Sequence, residues 1–484
     1  MHTLLRSILS ILAGKSFSIL IKLIFTPILV RVISQEQYGL YASILAAFSL
    51  ITLLSKGGLF DACRKTVAEA TSDSAEIQKV ISLSLVFSLL YGAIGTALVS
   101  VLLFSGILPQ IYRPYVLVLL VSIIFTNVFS VIRGVFFGIQ RELWGEFLGV
   151  SRQLVYVITG LILAYVGHGL SGVFAGYTLS FIIITFISSA LIMREFSFQL
   201  PTSDDFRTQG KHIATYGGYQ LIGGMSAAFL YKADILLVEL FQGASSTALY
   251  NSAIVPAEMI WFIPSVIQLS FLQHTANLWS EGEIEKINET VKTGIKYGTL
   301  SLALFGVGLF GLAEPLLSVY FGQEYVGAAT TLQVLILGTF FFGLSRVTMP
   351  VFQAIGWIRA TEFATLIALI INIALNVVLI PRYGIFGAGI GTMISYTSIF
   401  VGNIVIWNRS SIDIVPIEWF AKLIAAQAIF AAIFLGTVFV CDSSPIVSLL
   451  IFPPFGLLVF LGTNVFAGYI RLSDLKAVFM DLVE

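Results

Sequence analysis

The feature that most constrains this chain is a succession of apolar runs, each about as long as the roughly 20 residues that a helix needs to cross a bilayer. Such runs lie near 8 to 32, 38 to 60, 79 to 105, 114 to 138, 144 to 166, 170 to 192, 213 to 241, 248 to 272, 293 to 313, 329 to 355, 360 to 381, 385 to 407, 417 to 440 and 446 to 469. We number them spans 1 to 14. With 57% hydrophobic and 11% charged residues and a mean hydropathy of +0.96, the chain cannot be a soluble globular protein, in which about a quarter of residues carry charge. Forty-two glycines fit helices packed closely in lipid, and the runs are too long for the alternating strands, each of about 10 residues, of a β-barrel. The predicted class is an all-α polytopic membrane protein. The N-terminus begins like a signal peptide, but it lacks a small-residue cleavage site and is interrupted by Lys15 and Lys22, so it reads as a retained first helix.

Charge says more by position than by amount. Twenty-six Lys and Arg balance 26 Asp and Glu, which leaves no polybasic arm for nucleic acid. If the N-terminus is cytoplasmic, the even-numbered connections and the two ends hold nineteen basic residues, among them Arg6, Arg133, Arg141, Arg152, Arg346 and Lys476. The odd connections hold three, Arg31, Arg113 and Arg382. This asymmetry predicts a multi-pass protein of the cell membrane with both termini in the cytoplasm. The two longest connections, about 193 to 212 and 273 to 292, read as loop or amphipathic segments on that side. Cys63 and Cys441 would then face opposite sides, and two cysteines with four scattered histidines offer no metal centre. No cofactor is expected.

The chain also repeats itself. Val135, Phe136, Glu146 and Phe147 fall on Val351, Phe352, Glu362 and Phe363, and Gly169, Gly172, Gly176 and Ser180 fall on Gly384, Gly387, Gly391 and Ser395. A weaker echo pairs Tyr41 with Tyr250. These offsets predict two homologous six-helix lobes, 1–195 and 213–410, in one orientation, with 411–484 as two additional C-terminal helices and a tail. Glycines three and four apart on one helix face allow neighbouring backbones to approach closely.

Five stretches carry a resemblance: ISQEQYGLYASILA with GGLFDACRKTVAE around span 2, VIRGVFFGIQRE at the end of span 4, ADILLVELFQGASSTALYNSA at the corner of spans 7 and 8, and PRYGIFGAGIGTMISY at the start of span 12. Over about residues 5 to 410 the chain resembles the polysaccharide transporter and O-antigen flippase branch of the multidrug/oligosaccharidyl-lipid/polysaccharide flippase superfamily. The resemblance implies two bundles around a cavity that opens alternately to either side, moving a lipid-linked oligosaccharide on a polyprenyl or dolichyl phosphate or diphosphate. Partners would be that lipid, the surrounding membrane lipids, a coupling ion (H+ or Na+) and a glycan polymerase, ligase or oligosaccharyltransferase.

Charges inside spans mark where function should lie, since each costs roughly 2.5 to 3.5 kcal/mol at mid-bilayer. Lys15 and Lys22 lie within about 20° of one helix face and about 10 Å apart along it, with Ser18 between them and Thr26 beyond. Lys22 is deeper, so snorkelling is less able to rescue it and it is expected to line an anion-attracting cavity; for Lys15, snorkelling to the interface is the structural alternative. Lys56 is similar in placement to a span 2 basic residue of lipid II flippases, with a snorkelling anchor beside Asp61 as the structural alternative. Lys15, Ser18, Lys22, Lys56 and Lys232 are the substrate-binding candidates, and Asp234 and Glu258 the ion-coupling candidates; a Lys232–Glu258 ion pair is the structural alternative. Pro27, Pro256, Pro264 and the glycines Gly217, Gly218, Gly223 and Gly224 are candidate bending points, with kinks that serve no function as the alternative. A cation antiporter would need acidic residues in spans 1 and 2, and span 1 has none. A membrane glycosyltransferase or polymerase would need a large external loop with carboxylates; the external connections are short, and no nucleotide-binding or catalytic motif is present.

Overall fold

The computed structural model describes residues 2–70, 74–409 and 416–471. Lys476, the side chain of Arg6 and the predicted boundary at 411 lie outside these residues. Helices are the regular elements of the described residues, joined by short non-helical connections. The helices are α1 His2–Val32, α2 Gln35–Lys56, α3 Leu59–Glu69, α4 Ser74–Phe104, α5 Arg113–Gly138, α6 Glu142–Leu163, α7 Gly169–Met193, α8 Lys211–Gln242, α9 Ala244–Met259, α10 Phe262–Glu281, α11 Ile284–Gly311, α12 Ala313–Tyr320, α13 Ala329–Ala354, α14 Ile358–Trp407, α15 Ile417–Val440 and α16 Pro445–Phe466.

Ten helical segments among the described residues are long and apolar enough to cross a membrane, or eleven when α9 and α10, bent by 48°, count as one. Two of these, Glu142–Met193 and Ile358–Trp407, run for 52 and 50 residues, about twice the length of a crossing. Each is broken where φ turns positive, at Gly167 and Gly169 in the first and at Gly384 in the second. A residue with a Cβ resists that conformation, so the chain reverses there and each segment is two crossings. With α1 the total is fourteen, one for each predicted span.

By its internal packing the chain divides into two units, Met1–Glu239 and Leu240–Glu484. In the first, α2 starts on Ser34, whose hydroxyl accepts from the Gln37 backbone while the Gln37 side chain reaches back to the Ser34 N–H. This capping box gives the Ser-Gln-Glu-Gln motif a structural purpose. The interior is built from α3, α4, α5 and α7 around Leu59, Ile81, Phe129, Ile132, Phe136 and Ile184. Threonines hold the helices in register where lipid supplies no hydrophobic drive: Thr178 and Thr185 of α7 donate to the Val118 and Phe125 carbonyls of α5, at 2.8 and 3.2 Å. The connection after α7 is partly extended and tied to α4, since the Gln199 N–H donates to Ser82 Oγ at 3.0 Å and its amide to Gln78 at 2.9 Å. The other long connection is nearly all helix, α10 and α11 being separated only by Gly282 and Glu283.

In the second unit α15 and α16 pack on α11 through Phe430, Phe434, Phe452 and Phe460 against Leu300 and Leu312. The buried amides of Gln427 and Asn464 meet at 2.8 Å and fix their register. Both halves use their repeated glycines alike: a Cβ on Gly176 would strike the backbone of Gly160 on the preceding helix, and one on Gly391 would lie 2.7 Å from Asn376 Oδ1.

Candidate functional site

The predicted residues of span 1 lie along one side of α1, with Lys15 and Lys22 exposed and Ser18 and Thr26 half-buried. Two contacts fix this helix face. The Ser18 carbonyl accepts from Gln153 Nε2 of α6 at 2.8 Å, and Thr26 donates to the Lys22 carbonyl at 3.0 Å. The adjacent Gly14 lies against the Glu146 side chain, so α1 and α6 meet closely below the two lysines.

Lys56 ends α2 and is half-buried. It is repelled by the charges of Arg152 and, to a lesser degree, Arg133. Both arginines were counted above as basic residues of the cytoplasmic connections, yet Arg133 lies in α5 and Arg152 in α6. Arg133 is neutralised: its Nη2 meets Glu146 at 3.1 Å and its Nε donates to the Gly145 carbonyl at 3.0 Å. Arg152 is held otherwise, with its guanidinium 4.5 Å from the Phe181 ring centre and 6.0 Å from that of Tyr177. Its Nη1 is buried with no hydrogen-bond partner among the described residues. An unsatisfied buried donor costs about 1 to 3 kcal/mol, and more when it is charged. Aromatic faces offset part of that cost by cation–π attraction without using up the N–H groups.

The aromatic surround continues from Arg152. Tyr177 packs on Tyr156 at 5.4 Å between ring centres, Tyr156 shares a 3.0 Å hydrogen bond with Tyr41, and Phe25 of α1 packs on Tyr156 at 5.3 Å. Among the described residues, Lys56, Arg133 and Arg152 with Glu146, set near tyrosines, can receive an anion. Sequence reading missed Arg133 and Arg152 because each is close enough to the end of an apolar run to pass for an interfacial anchor. The cue that was available is that Arg152 stands eight residues inside its own run.

On α8, Lys232 is half-buried and Asp234 fully buried, with its Oδ1 accepting from the Ile235 N–H at 2.8 Å. Glu239 accepts from the Tyr112 hydroxyl at 2.6 Å. Glu258 stands half-buried at the end of α9, beside the break between α9 and α10. The second unit has a comparable arginine within a predicted span, Arg346 of α13. It lies 4.9 Å from the Trp261 ring centre and 5.1 Å from that of Phe342, and its Nη1 reaches Gln268 at 3.3 Å. Asn372, Asn376, Thr392 and Ser395 form a buried polar cluster of α14, joined by hydrogen bonds of 3.0 to 3.4 Å that the two asparagine amides donate. No group of metal-ligating side chains occurs among the described residues.

Comparison with known proteins agrees with this architecture. The family model described as "Polysaccharide biosynthesis protein" matches residues 4–273, and that of the MatE family residues 222–378. The chain is 21% identical to a probable low-salt glycan biosynthesis flippase, Agl15, of Haloferax volcanii, over 76% of this chain and 75% of that protein. It is 24% identical to a putative O-antigen transporter of Shigella flexneri, over 78% and 91%. The fold is similar to that of the lipid II flippase MurJ in its inward closed conformation, with a TM-score of 0.78 and 16% identity over 98% of this chain and 99% of that one. The match to more than half its length, on this fourteen-span fold, makes the chain a member of the polysaccharide biosynthesis protein family.

Proposed function

We propose that the protein carries a lipid-linked oligosaccharide from the cytoplasmic to the outer leaflet of the cell membrane by alternating access, with both termini in the cytoplasm, for the assembly of a surface glycan. The observation that carries this reading is the cationic group of the first unit: Lys56 beside Arg152 and Arg133, of which Arg133 is paired with Glu146. The lysine face of α1 adds two more cations. A polyprenyl phosphate or diphosphate cannot enter hydrocarbon with its charge unbalanced, and arginine binds phosphate oxygens through two parallel N–H groups. The unpartnered Nη1 of Arg152 suits that role. Lys15, Ser18, Lys22, Lys56 and Lys232 remain the proposed substrate contacts, joined now by Arg152. Asp234 and Glu258 remain the proposed groups through which H+ or Na+ couples to the cycle. A glycan polymerase, ligase or oligosaccharyltransferase would act on the delivered lipid.

The test is reconstitution in vesicles with a headgroup-labelled polyprenyl diphosphate saccharide and a membrane-impermeant quencher. We expect the label to become exposed on the far side only when the protein is present, and organic cations not to move. Cation efflux without lipid movement would replace this reading with an antiporter. In the same assay Arg152→Gln should reduce translocation about tenfold, and Arg152→Lys less, because a charge-assisted hydrogen bond is worth about 1.5 to 3 kcal/mol.

A further inference from the structure

The two arginines of the first unit are held in the bundle by different means. Arg133 takes Glu146 at 3.1 Å, whereas among the described residues no carboxylate pairs with Arg152. Arg152 is ten residues after Glu142, so its Cα lies about 15 Å along α6. Side chains leave a helix tilted toward its N-terminus, here the Glu142 end, and a long cation with nothing to hold it extends that way toward water. The guanidinium of Arg152 instead lies over the Phe181 ring, 4.5 Å from its centre. Phe181 stands twelve residues, about 18 Å, before the Met193 end of α7. Because the chain reverses between α6 and α7, the Glu142 and Met193 ends lie on one side. The ring therefore keeps the charge at about the depth of its own Cα.

Phe181 is itself fixed in place. It is buried, with Phe129 of α5 set edge-on at 5.9 Å between ring centres and Tyr177, one turn earlier on α7, at 5.1 Å. On either side of it along α7, Thr178 and Thr185 donate to carbonyls of α5, so the ring cannot slide along that helix. A ring attracts a cation through the negative charge of its face and occupies none of the N–H groups. That matters at Arg152 Nη1, which is buried and has no hydrogen-bond partner among the described residues. A carboxylate in place of the ring would bind the guanidinium through its donors and leave fewer for anything else.

We propose that Phe181 is a positioning residue of the anion site, its ring face holding the Arg152 guanidinium deep in the bundle with Nη1 open to a phosphate oxygen of the carried lipid. Phe181 acts only through Arg152, and its role rests on the reading of Lys56, Arg133 and Arg152 as the phosphate site. Packing alone would be served equally by an aliphatic side chain of similar size, which holds no cation.

The experiment replaces Phe181 in the full chain by phenylalanines carrying one, two and three ring fluorines, incorporated by nonsense suppression. Fluorine drains negative charge from the ring face and leaves the shape nearly unchanged, so a purely structural ring would not register it. The initial rate of label exposure in vesicles should fall stepwise along the series, several-fold by the third fluorine. Phe181→Leu should be at least as slow, and Phe181→Tyr, which keeps an unfluorinated face, should stay near the parent rate. In an Arg152→Gln background the series should have no effect, because the two residues act as one unit. Rates that stay at the parent value along the series overturn the proposal, and so does an equal fall with and without Arg152. The thermal midpoint of the detergent-solubilised protein should likewise fall along the series in the parent and not in Arg152→Gln. If Arg152→Gln by itself moves the lipid at the parent rate, the phosphate-site reading fails, while the thermal midpoints still decide whether Phe181 holds Arg152.

Discussion

Replacing Lys22 by alanine should cut headgroup translocation about ten- to hundredfold while leaving the amount of inserted protein unchanged. The magnitude is that of one charge-assisted hydrogen bond to an anion, about 1.5 to 3 kcal/mol, with each 1.36 kcal/mol worth a factor of ten. Insertion should not suffer, because removing a lysine makes α1 more apolar and lowers its cost in the bilayer. A loss of transport therefore cannot be assigned to a missing helix. Lys22→Arg should retain most of the activity, since it keeps the charge, and Lys22→Glu should abolish it. Lys15→Ala should have the smaller effect, because Lys15 is near enough to the helix end to hold its ammonium at the interface. The measurement is the initial rate of label exposure in vesicles at matched protein content. Unimpaired transport by Lys22→Ala would remove α1 from the anion site and leave Lys56 with Arg152.

The largest effect on stability is expected at Gly176. A Cβ there would lie 2.5 Å from the Gly160 Cα and closer still to its nitrogen. Neither atom can swing aside as the end of a flexible side chain would, so α6 and α7 would have to part along their length. Overpacking of this kind typically costs about 1 to 3 kcal/mol. Gly176→Ala should therefore lower the thermal midpoint of the detergent-solubilised protein, and Gly176→Leu should prevent its accumulation. At the equivalent Gly391 the first atom met is Asn376 Oδ1, so the cost there includes disturbing the hydrogen bond between Asn376 and Asn372. Gly436→Ala serves as the control, since its Cβ would meet nothing within 4 Å. A Gly176→Ala protein as stable as the parent would mean that the two backbones are not held at this distance.

Much of this molecule was legible before any coordinates. Apolar length is a local property, and the fourteen runs became fourteen crossings with breaks at Gly167–Gly169 and Gly384, between predicted spans 5 and 6 and spans 11 and 12. The repeated glycines of spans 6 and 12 were equally readable, because their spacing alone puts them on one helix face. The motif before span 2 carried the family resemblance, and its Ser34 and Gln37 also carry a helix cap, which depends on residues only three apart.

What the sequence did not disclose lies between residues far apart in it. Lys56, Arg133 and Arg152 stand on three helices, and nothing in the neighbourhood of any one of them announces the other two. A basic residue near the end of an apolar run has the same local signature whether it anchors the helix at the interface or turns inward. Only the packing of α2, α5 and α6 decides which. The approach of Gly217 to Gly57 and Gly58 is of the same kind, a contact across about 160 residues made by atoms that every glycine possesses. Composition and periodicity thus determined that the chain crosses the membrane fourteen times and which faces are small. Tertiary structure alone decided which cations share a site and which ring faces a guanidinium, because those depend on distances between helices that hydrophobicity, being non-directional, does not specify.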